Sequence, residues 1–475
     1  MKKRNFLSQR EKQQQHLSEQ YEKSLFEQRP LYMDSGDISM LADWHFFHKE
    51  YSKAFEMVDH GLRLHPDNDE LLRRKAYLYL DSGYEPSVNA LIAQLPPDDD
   101  TCLLRARMAA NCGDDDEVWS ILDSIREKDD LITAVEAAYI CLEVENPQKA
   151  FEWLNPISRQ YGDEEPFLSA MADASYEMGD YEEAAGYYNK LIDRDPYVPS
   201  YWYGLARCYY QENNFEQAID ACNYALIGDD EYGDAYAMRG NAYHQLGNAD
   251  AALENYIQAV KRDALPPENV AAYQGLIAMS NVDWDIALKY MKEAIRESET
   301  CDGDIYARAT LYTQAAKCCL NKGDLKQAYR YCRKALSLND TEADAYLIEG
   351  RVCFAQGKPD KGLKLWANAL AVSPNITTWY DVGTNFMEIG DVESAGMAFR
   401  KVAEEDINYE FVKERLAVVS LIEGDFAQFA HYNSLFEHPF SEQEVEQIKH
   451  DMEGDRKDRI ILVIKLIMKR LHLSE

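Results

Sequence analysis

Two histidines stand three residues apart in Trp44-His45-Phe46-Phe47-His48. That spacing puts two imidazoles on one face of a helix, which is how a metal site begins. No third ligand at motif spacing accompanies them, and His60 and His65 are placed no better. The pair therefore reads as part of a repeat helix with partly exposed rings, and no metal ligand is assigned. The ten cysteines include no Cys-x-x-Cys pair, so neither a zinc knuckle nor a dithiol redox motif is indicated. The acidic clusters Asp98-Asp99-Asp100, Asp114-Asp115-Asp116 and Asp229-Asp230-Glu231 lack the alternating ligands and closing glutamate of a calcium loop. Capping of helix N-termini and solvation account for them better. No glycine-rich phosphate loop of the Walker type occurs. With no catalytic constellation and no cofactor site, the chain is expected not to be an enzyme.

Charge narrows the class of partner. The chain has 475 residues, with 50 Lys+Arg against 84 Asp+Glu, a net charge of −34. Phosphate backbones need a basic footprint, so nucleic acid is excluded as a partner. Residues 51–250 hold 40 acids and 15 bases, a net −25, whereas residues 301–400 hold 12 of each. A basic protein or peptide is the partner expected for the acidic half. The start, Met1-Lys2-Lys3-Arg4, is followed by no apolar stretch of signal-peptide type. The longest apolar run, Ile460 to Met468, is interrupted by Lys465, far short of the roughly 20 residues that span a bilayer. No transmembrane segment and a reduced, cytoplasmic setting are the expectations.

The elements that would position any binding residue recur at a fixed interval. Small or apolar residues fall at Ala54, Val88, Val118, Ala150, Ala184, Ala218, Ala252, Ala287, Ala328, Gly362, Ala395 and Phe429, with spacings of 30 to 41 and mostly 34. Four of them follow matching turns, Gly179-Asp180, Gly323-Asp324, Gly390-Asp391 and Gly424-Asp425. A period of about 34 is that of a helix–turn–helix repeat. Glycine suits the turn, where positive φ is wanted, and proline the joints between repeats. One helix pair cannot bury its apolar face alone, so repeats must stack and share a core. Cys208 and Cys318 share one repeat position, Cys141, Cys319 and Cys353 the next, and Cys222 and Cys332 another, so they are expected in that core as small hydrophobes.

The pattern resembles the tetratricopeptide repeat family. Residues 199–232 show Trp202, Leu205-Ala206, Tyr209, Phe215, Ala218 and Ala225; residues 233–266 show Tyr236, Gly240, Tyr243, Gly247, Ala252, Tyr256 and Ala259. Residues 343–375 show Tyr346, Gly350, Gly357, Trp366, Ala369 and Pro374. The resemblance implies an all-α, right-handed superhelical solenoid of about twelve repeats with a C-terminal capping helix. The expected boundaries are a polar N-terminal helix or tail (1–34), degenerate repeats (35–164), regular repeats (165–301), an inter-repeat insertion (302–308), regular repeats (309–437) and capping helices (438–475).

In that family the first helix of each pair lines a concave groove that takes peptides, so the resemblance implies a non-catalytic protein-interaction scaffold. It places Tyr203, Arg207, Tyr210, Asn241, His244, Lys317, Arg351 and Tyr380 on the groove. Arg207, flanked by tyrosines and Asn241, would clamp a peptide backbone or carboxylate. The competing expectation is that Tyr203, Tyr210 and His244 pack against neighbouring repeats while Arg207 pairs with nearby acids. Chaperone adaptors of the family hold a C-terminal carboxylate through Lys and Asn on one repeat and Lys and Arg two repeats on. Here Tyr203 and Arg207 stand at the first two of those places and no three consecutive repeats restore the set, which argues against that ligand. The alternative role is a regulatory or assembly subunit that docks through its acidic convex surface or its amphipathic C-terminal helix. That helix carries Lys465, Lys469 and Arg470 and could also meet a second copy of the chain in a homodimer.

Overall fold

The computed structural model describes residues 16–21, 23, 33–47, 50–83, 85–300, 304–452 and 457–471. Every regular element among them is helical. The chain forms two compact units, residues 1–265 and 266–475. In the first, seven helix pairs follow one another: Ser35–Phe47 with Tyr51–Leu64, Asp69–Asp81 with Glu85–Ile92, Asp99–Asn111 with Asp115–Asp123, Leu131–Glu143 with Pro147–Leu154, Glu165–Glu177 with Tyr181–Arg194, Pro199–Gln211 with Phe215–Gly228, and Gly233–Gln245 with Ala249–Lys261. In the second, five described pairs run Glu268–Ser280 with Trp284–Thr300, Ile305–Asn321 with Leu325–Leu338, Ala343–Ala355 with Pro359–Val372, Ile376–Glu388 with Val392–Glu405, and Val412–Glu423 with Phe426–Asn433. Helices Glu442–Met452 and Lys457–Arg470 follow. Within each unit, each helix packs on its partner, and most also pack on the adjoining pair.

The turn inside each pair explains where the helices stop. The residue five places before the periodic small position has positive φ from the second pair onward: Gly83, Gly113, Glu145, Gly179, Asn213, Gly247, Val282, Gly323, Gly357, Gly390 and Gly424. Glycine accepts this left-handed conformation without steric cost. The amide that follows it then bonds back across the turn, as Asp114 N to Ala109 O and Asp391 N to Phe386 O do, the 6→1 bond of a Schellman end. That same next residue is usually Asp or Asn and caps the second helix: Asp114 accepts from Glu117 N, Asn146 from Lys149 N, Asp324 from Gln327 N and Asp425 from Gln428 N. Two of the acidic clusters serve this way. Asp98 accepts from Thr101 N at the start of its helix, whereas Asp229 accepts from Glu231 N in the turn that follows Phe215–Gly228.

The periodic positions are where the helices of a pair meet. The eleven other than Gly362 are 0% exposed, from Ala54 to Phe429. Gly362 is buried too, and a methyl on it would overlap the Phe354 ring, while one on Gly350 would overlap the Trp366 indole nitrogen. Small residues are thus what allow the close approach. Cys141, Cys208, Cys222, Cys318, Cys319, Cys332 and Cys353 are all buried free thiols. Burial pushes Cys141, Cys208 and Cys222 up to about 12, so they are protonated packing groups rather than nucleophiles. Cys301 lies outside the described residues.

The 41-residue spacing from Ala287 to Ala328 resolves into helix length. Trp284–Thr300 and Ile305–Asn321 are 17 residues each, against 13 and 14 for Pro199–Gln211 and Phe215–Gly228. Of the stretch 302–308, residues 302 and 303 lie outside the described residues and 305–308 are helical. Most of the N-terminal segment 1–34 also lies outside them. At the far end, Ile464, Ile467, Met468 and Leu471 pack into one core with Phe429, Phe436, Phe440 and Ile448. Arg470 closes this contact, 2.6 Å from Glu444 and 4.2 Å from the Phe440 ring centroid.

Candidate interaction face of the first helices

In the first unit, the first helices of neighbouring pairs, and in one case of pairs two apart, are tied to one another by polar side chains, and these ties define a common face. Tyr77 donates to Glu136 at 3.2 Å, and Arg107 pairs with Glu143 at 2.7 Å. The Tyr139 hydroxyl donates to Asp173 at 3.2 Å, and Tyr188 donates to the same carboxylate at 2.5 Å. Tyr201 donates to Glu165 at 2.6 Å. A rung then repeats with the period of the chain: Gln211 donates to the Tyr176 hydroxyl, and Gln245 to the Tyr210 hydroxyl, at 3.0 and 3.3 Å.

Arg207 sits inside this network. Its guanidinium lies 3.8 Å from the Tyr176 ring centroid and 3.4 Å from Glu177. Cation–π contact of this kind suits the flat guanidinium. Tyr203 stacks edge-on to Tyr232 at 5.4 Å, and Tyr210 to Phe215 at 5.4 Å. Asn241 accepts from Tyr256 at 2.9 Å. His244 is exposed on the same helix as Asn241. The five residues expected on this part of the groove therefore lie on two successive first helices, and four of them are engaged with neighbouring aromatic rings or acids. Burial, with Asp234 nearby, raises Tyr203 above the ordinary tyrosine range.

The carboxylates of the face matter more than the sequence suggested. Glu136 is raised, chiefly by burial. Asp173 holds two tyrosine hydroxyls, and no ion pair to it is seen among the described residues. An ionised carboxylate accepts about four hydrogen bonds, so Asp173 keeps acceptor capacity. Residue type alone does not single these residues out, because a lone tyrosine or acid on a repeat helix looks like any other. The usable signal was the 34-residue spacing of Tyr139 and Asp173, of Tyr176 and Tyr210, and of Gln211 and Gln245.

In the second unit, Arg351 pairs with Glu388 on the next first helix at 2.6 Å, and Lys317 is exposed. Tyr380 is only 8% exposed, held between Phe399 and Tyr409 at 5.7 and 5.6 Å. Asp381 beside it is pushed up to about 6 by burial, with Asp344 and Glu410 adding to the rise and Lys317 opposing it. A shallow depression of about 640 Å³ in the first unit is lined by Gly179, Asp180, Tyr181, Glu182, Glu183 and Glu212. His45 corrects the sequence reading of partly exposed imidazoles. It is 3% exposed, with Nδ1 2.6 Å from the Glu50 carboxylate, because its position faces the core of the first pair. His48 lies outside the described residues.

Helix pairs at this period, with a polar first-helix face, define a helical-repeat fold. The tetratricopeptide repeat family matches directly, over residues 169–235, 233–264 and 309–342. Residues 169–264 and 309–342 are tetratricopeptide repeats. The chain is 23% identical over 211 residues to human DnaJ homolog subfamily C member 7, covering 43% of this chain and 42% of that protein. It is 20% identical over 269 residues to stress-induced-phosphoprotein 1 of Caenorhabditis elegans, covering 50% of this chain and 82% of that one. The chain thus spans less than half the length of the first of these relatives. Among solved structures, it is similar to YrrB, described as a TPR protein with an unusual peptide-binding site, at 19% identity and TM-score 0.30, over 40% of this chain and 94% of that one. It is also similar to the APC/C Cut9–Hcn1 assembly, at 12% identity and TM-score 0.39, over 92% and 89%. No described helix is long and apolar enough to cross a membrane.

Proposed function

We propose that this protein is a non-catalytic scaffold whose first-helix face in the first unit holds a basic segment of a partner protein. The observation that carries this reading is the state of the charges on that face. Its cations are matched, Arg107 by Glu143 and Arg207 by Glu177 with Tyr176. The carboxylates of Glu136, Asp173 and Glu165 are held by tyrosine hydroxyls instead. A face with neutralised cations and hydroxyl-bound carboxylates attracts lysine and arginine. Arg207 acts here as a positioning residue that fixes the Tyr176 ring. A reduced cytoplasmic setting belongs to the same reading and is supported by the buried thiols. Docking or homodimerisation through the C-terminal helix is the weaker alternative, since Ile464, Ile467 and Met468 of that helix are already packed on the terminal core.

The test compares proteins crosslinked to the full chain in its native cells. Asp173→Asn with Glu136→Gln, and separately Arg207→Glu with Tyr203→Ala, should each lose the basic segments captured by the wild type, with helicity by circular dichroism unchanged. Equal capture of those segments by both variants would refute the reading.

A further inference from the structure

The repeats carry an internal control for surface composition. On the second helix of a pair, the residues six and nine places after the periodic small position mostly face water. They are Lys190 and Asp193, Gln258 and Lys261, Lys334 and Ser337, and Lys401 and Glu404 in four of the pairs, all polar. In the pair Pro199–Gln211 with Phe215–Gly228 they are Tyr224 and Ile227, exposed at 52% and 58%. Neither side chain is buried in its own pair's core.

Two further apolar groups adjoin them. Trp202 stacks on Tyr224 with ring centroids 4.5 Å apart, and its indole N–H donates to Pro196 O at 2.8 Å. Gly228, next to Ile227, sits against the Tyr197–Pro199 loop so closely that a methyl there would lie 3.1 Å from Tyr197 O. Tyr197 is itself 44% exposed. Tyr224 with its stacked Trp202, and Ile227 beside the Tyr197–Pro199 loop, thus bring exposed apolar groups together where the four compared pairs carry polar ones. The two segments that carry them, 193–202 and 220–231, hold Asp193, Asp195, Asp220, Asp229, Asp230 and Glu231 against Arg194, and of these carboxylates Glu231 is met by Arg262 of the next pair at 3.3 Å.

We propose that Tyr197, Trp202, Tyr224 and Ile227 form a second docking surface, which receives a basic amphipathic helix from a partner protein. Tyr224 and Ile227 lie one turn apart on a helix, so an opposing helix with apolar residues at i, i+3 and i+4 can pack along them. The acidic rim then pairs with lysine or arginine on the flanks of that helix. A second copy of this chain fits badly, because it would bring two acidic rims together. Apart from Trp202, at the start of the first helix, this surface belongs to the second helix and the loop before the pair, and none of the ties of the first-helix face uses its residues.

The probe is a set of three labelled synthetic peptides titrated against the full chain by fluorescence anisotropy. One is an amphipathic helix with leucines on one face and lysines on the other. The second keeps the lysines and replaces the leucines with glutamine. The third keeps the leucines and replaces lysine with glutamate. The protein variant is Tyr224→Gln with Ile227→Ser, using residue types found at Gln258 and Ser337. The first peptide should bind the wild type saturably, and the variant and the other two peptides should each weaken binding by about tenfold or more. Equal binding of the lysine–glutamine peptide would reduce the effect to general charge and overturn the proposal. Binding that survives in Tyr224→Gln/Ile227→Ser but is lost in Asp173→Asn would assign the peptide to the first-helix face and overturn this surface alone. Self-association of the wild type that the patch variant abolishes would make a second copy the occupant and overturn it too.

Discussion

Val282 occupies a turn position where eight of the other described repeats place glycine, and its φ of 61° is left-handed. A β-branched side chain in that region costs roughly 1–2 kcal/mol. The side chain is 66% exposed, so little packing offsets the strain. Val282→Gly should therefore stabilise the protein by about 1 kcal/mol, after the entropy that glycine adds to the unfolded chain. Urea unfolding with an unchanged slope checks it, and a variant no more stable than wild type would contradict the strain. The sequence made this position hard to read. Four Gly-Asp turns were plain, whereas Glu145, Asn213 and Val282 hold the same conformation with residue types that advertise something else. Asp381 gives a second residue-scale expectation. Its carboxyl is pushed up to about 6 from 3.8, so the folded state binds its proton more tightly than the unfolded chain does. Stability from this group is gained as pH falls from about 6 towards 3.8 and is fully present below that. Asp381→Asn should be more stable than wild type at pH 8, by about 1 kcal/mol after allowing for partial exposure, and should lose the difference near pH 4. Thermal unfolding across that range would decide it.

At the scale of elements, the helix Lys457–Arg470 shows what pattern alone leaves open. Its amphipathic face was legible as alternating apolar and basic residues, yet a capping helix and a docking helix share that pattern. The contact of Ile464, Ile467 and Met468 with Phe429 and Phe440 distinguishes them, and it depends on residues far apart in sequence. Removing residues 457–475 should expose that aromatic core and give aggregated protein by size-exclusion chromatography. A monodisperse truncated chain with unchanged melting would refute a capping role. The same junction has a pH signature. Arg470 and the Ser441 amide and hydroxyl hold Glu444 down at about 2, below its ordinary 4.5. A depressed carboxylate contributes stability above the unfolded value, and that contribution is lost as pH falls from 4.5 towards 2. Glu444→Gln should remove this dependence, read as faster amide exchange in Glu442–Met452 at pH 6 and no difference from wild type near pH 2. The helix pairs themselves were the most legible elements, because the close approach at Gly350 and Gly362 leaves a small-residue signature that side-chain networks do not.

For the whole chain, charge is the property the sequence states most directly, and the structure divides it among separate tasks. Some of the 40 acids between residues 51 and 250 cap helices, as Asp98, Asp114 and Asn-equivalent Asp130 do. Others tie first helices together, as Glu136 and Glu143 do. A third group, Asp229, Asp230 and Glu231 among them, flanks the apolar patch around Tyr224. Caps and ties act over a few ångströms and respond little to salt, whereas the net −25 repels itself over longer distances. Added salt shortens the screening length from about 10 Å at 0.1 M to about 3 Å at 1 M. Self-repulsion in the acidic stretch is then screened, and so is the attraction for a basic partner. Stability and binding should respond oppositely: the melting temperature should rise from 0.05 to about 0.5 M sodium chloride, while the affinity of the leucine–lysine peptide should fall by about tenfold. Both are read on one sample series, by calorimetry and anisotropy. A melting temperature that falls with salt would mean that the local ion pairs outweigh the repulsion. An affinity indifferent to salt would mean that the apolar patch alone, without its acidic rim, recognises the helix.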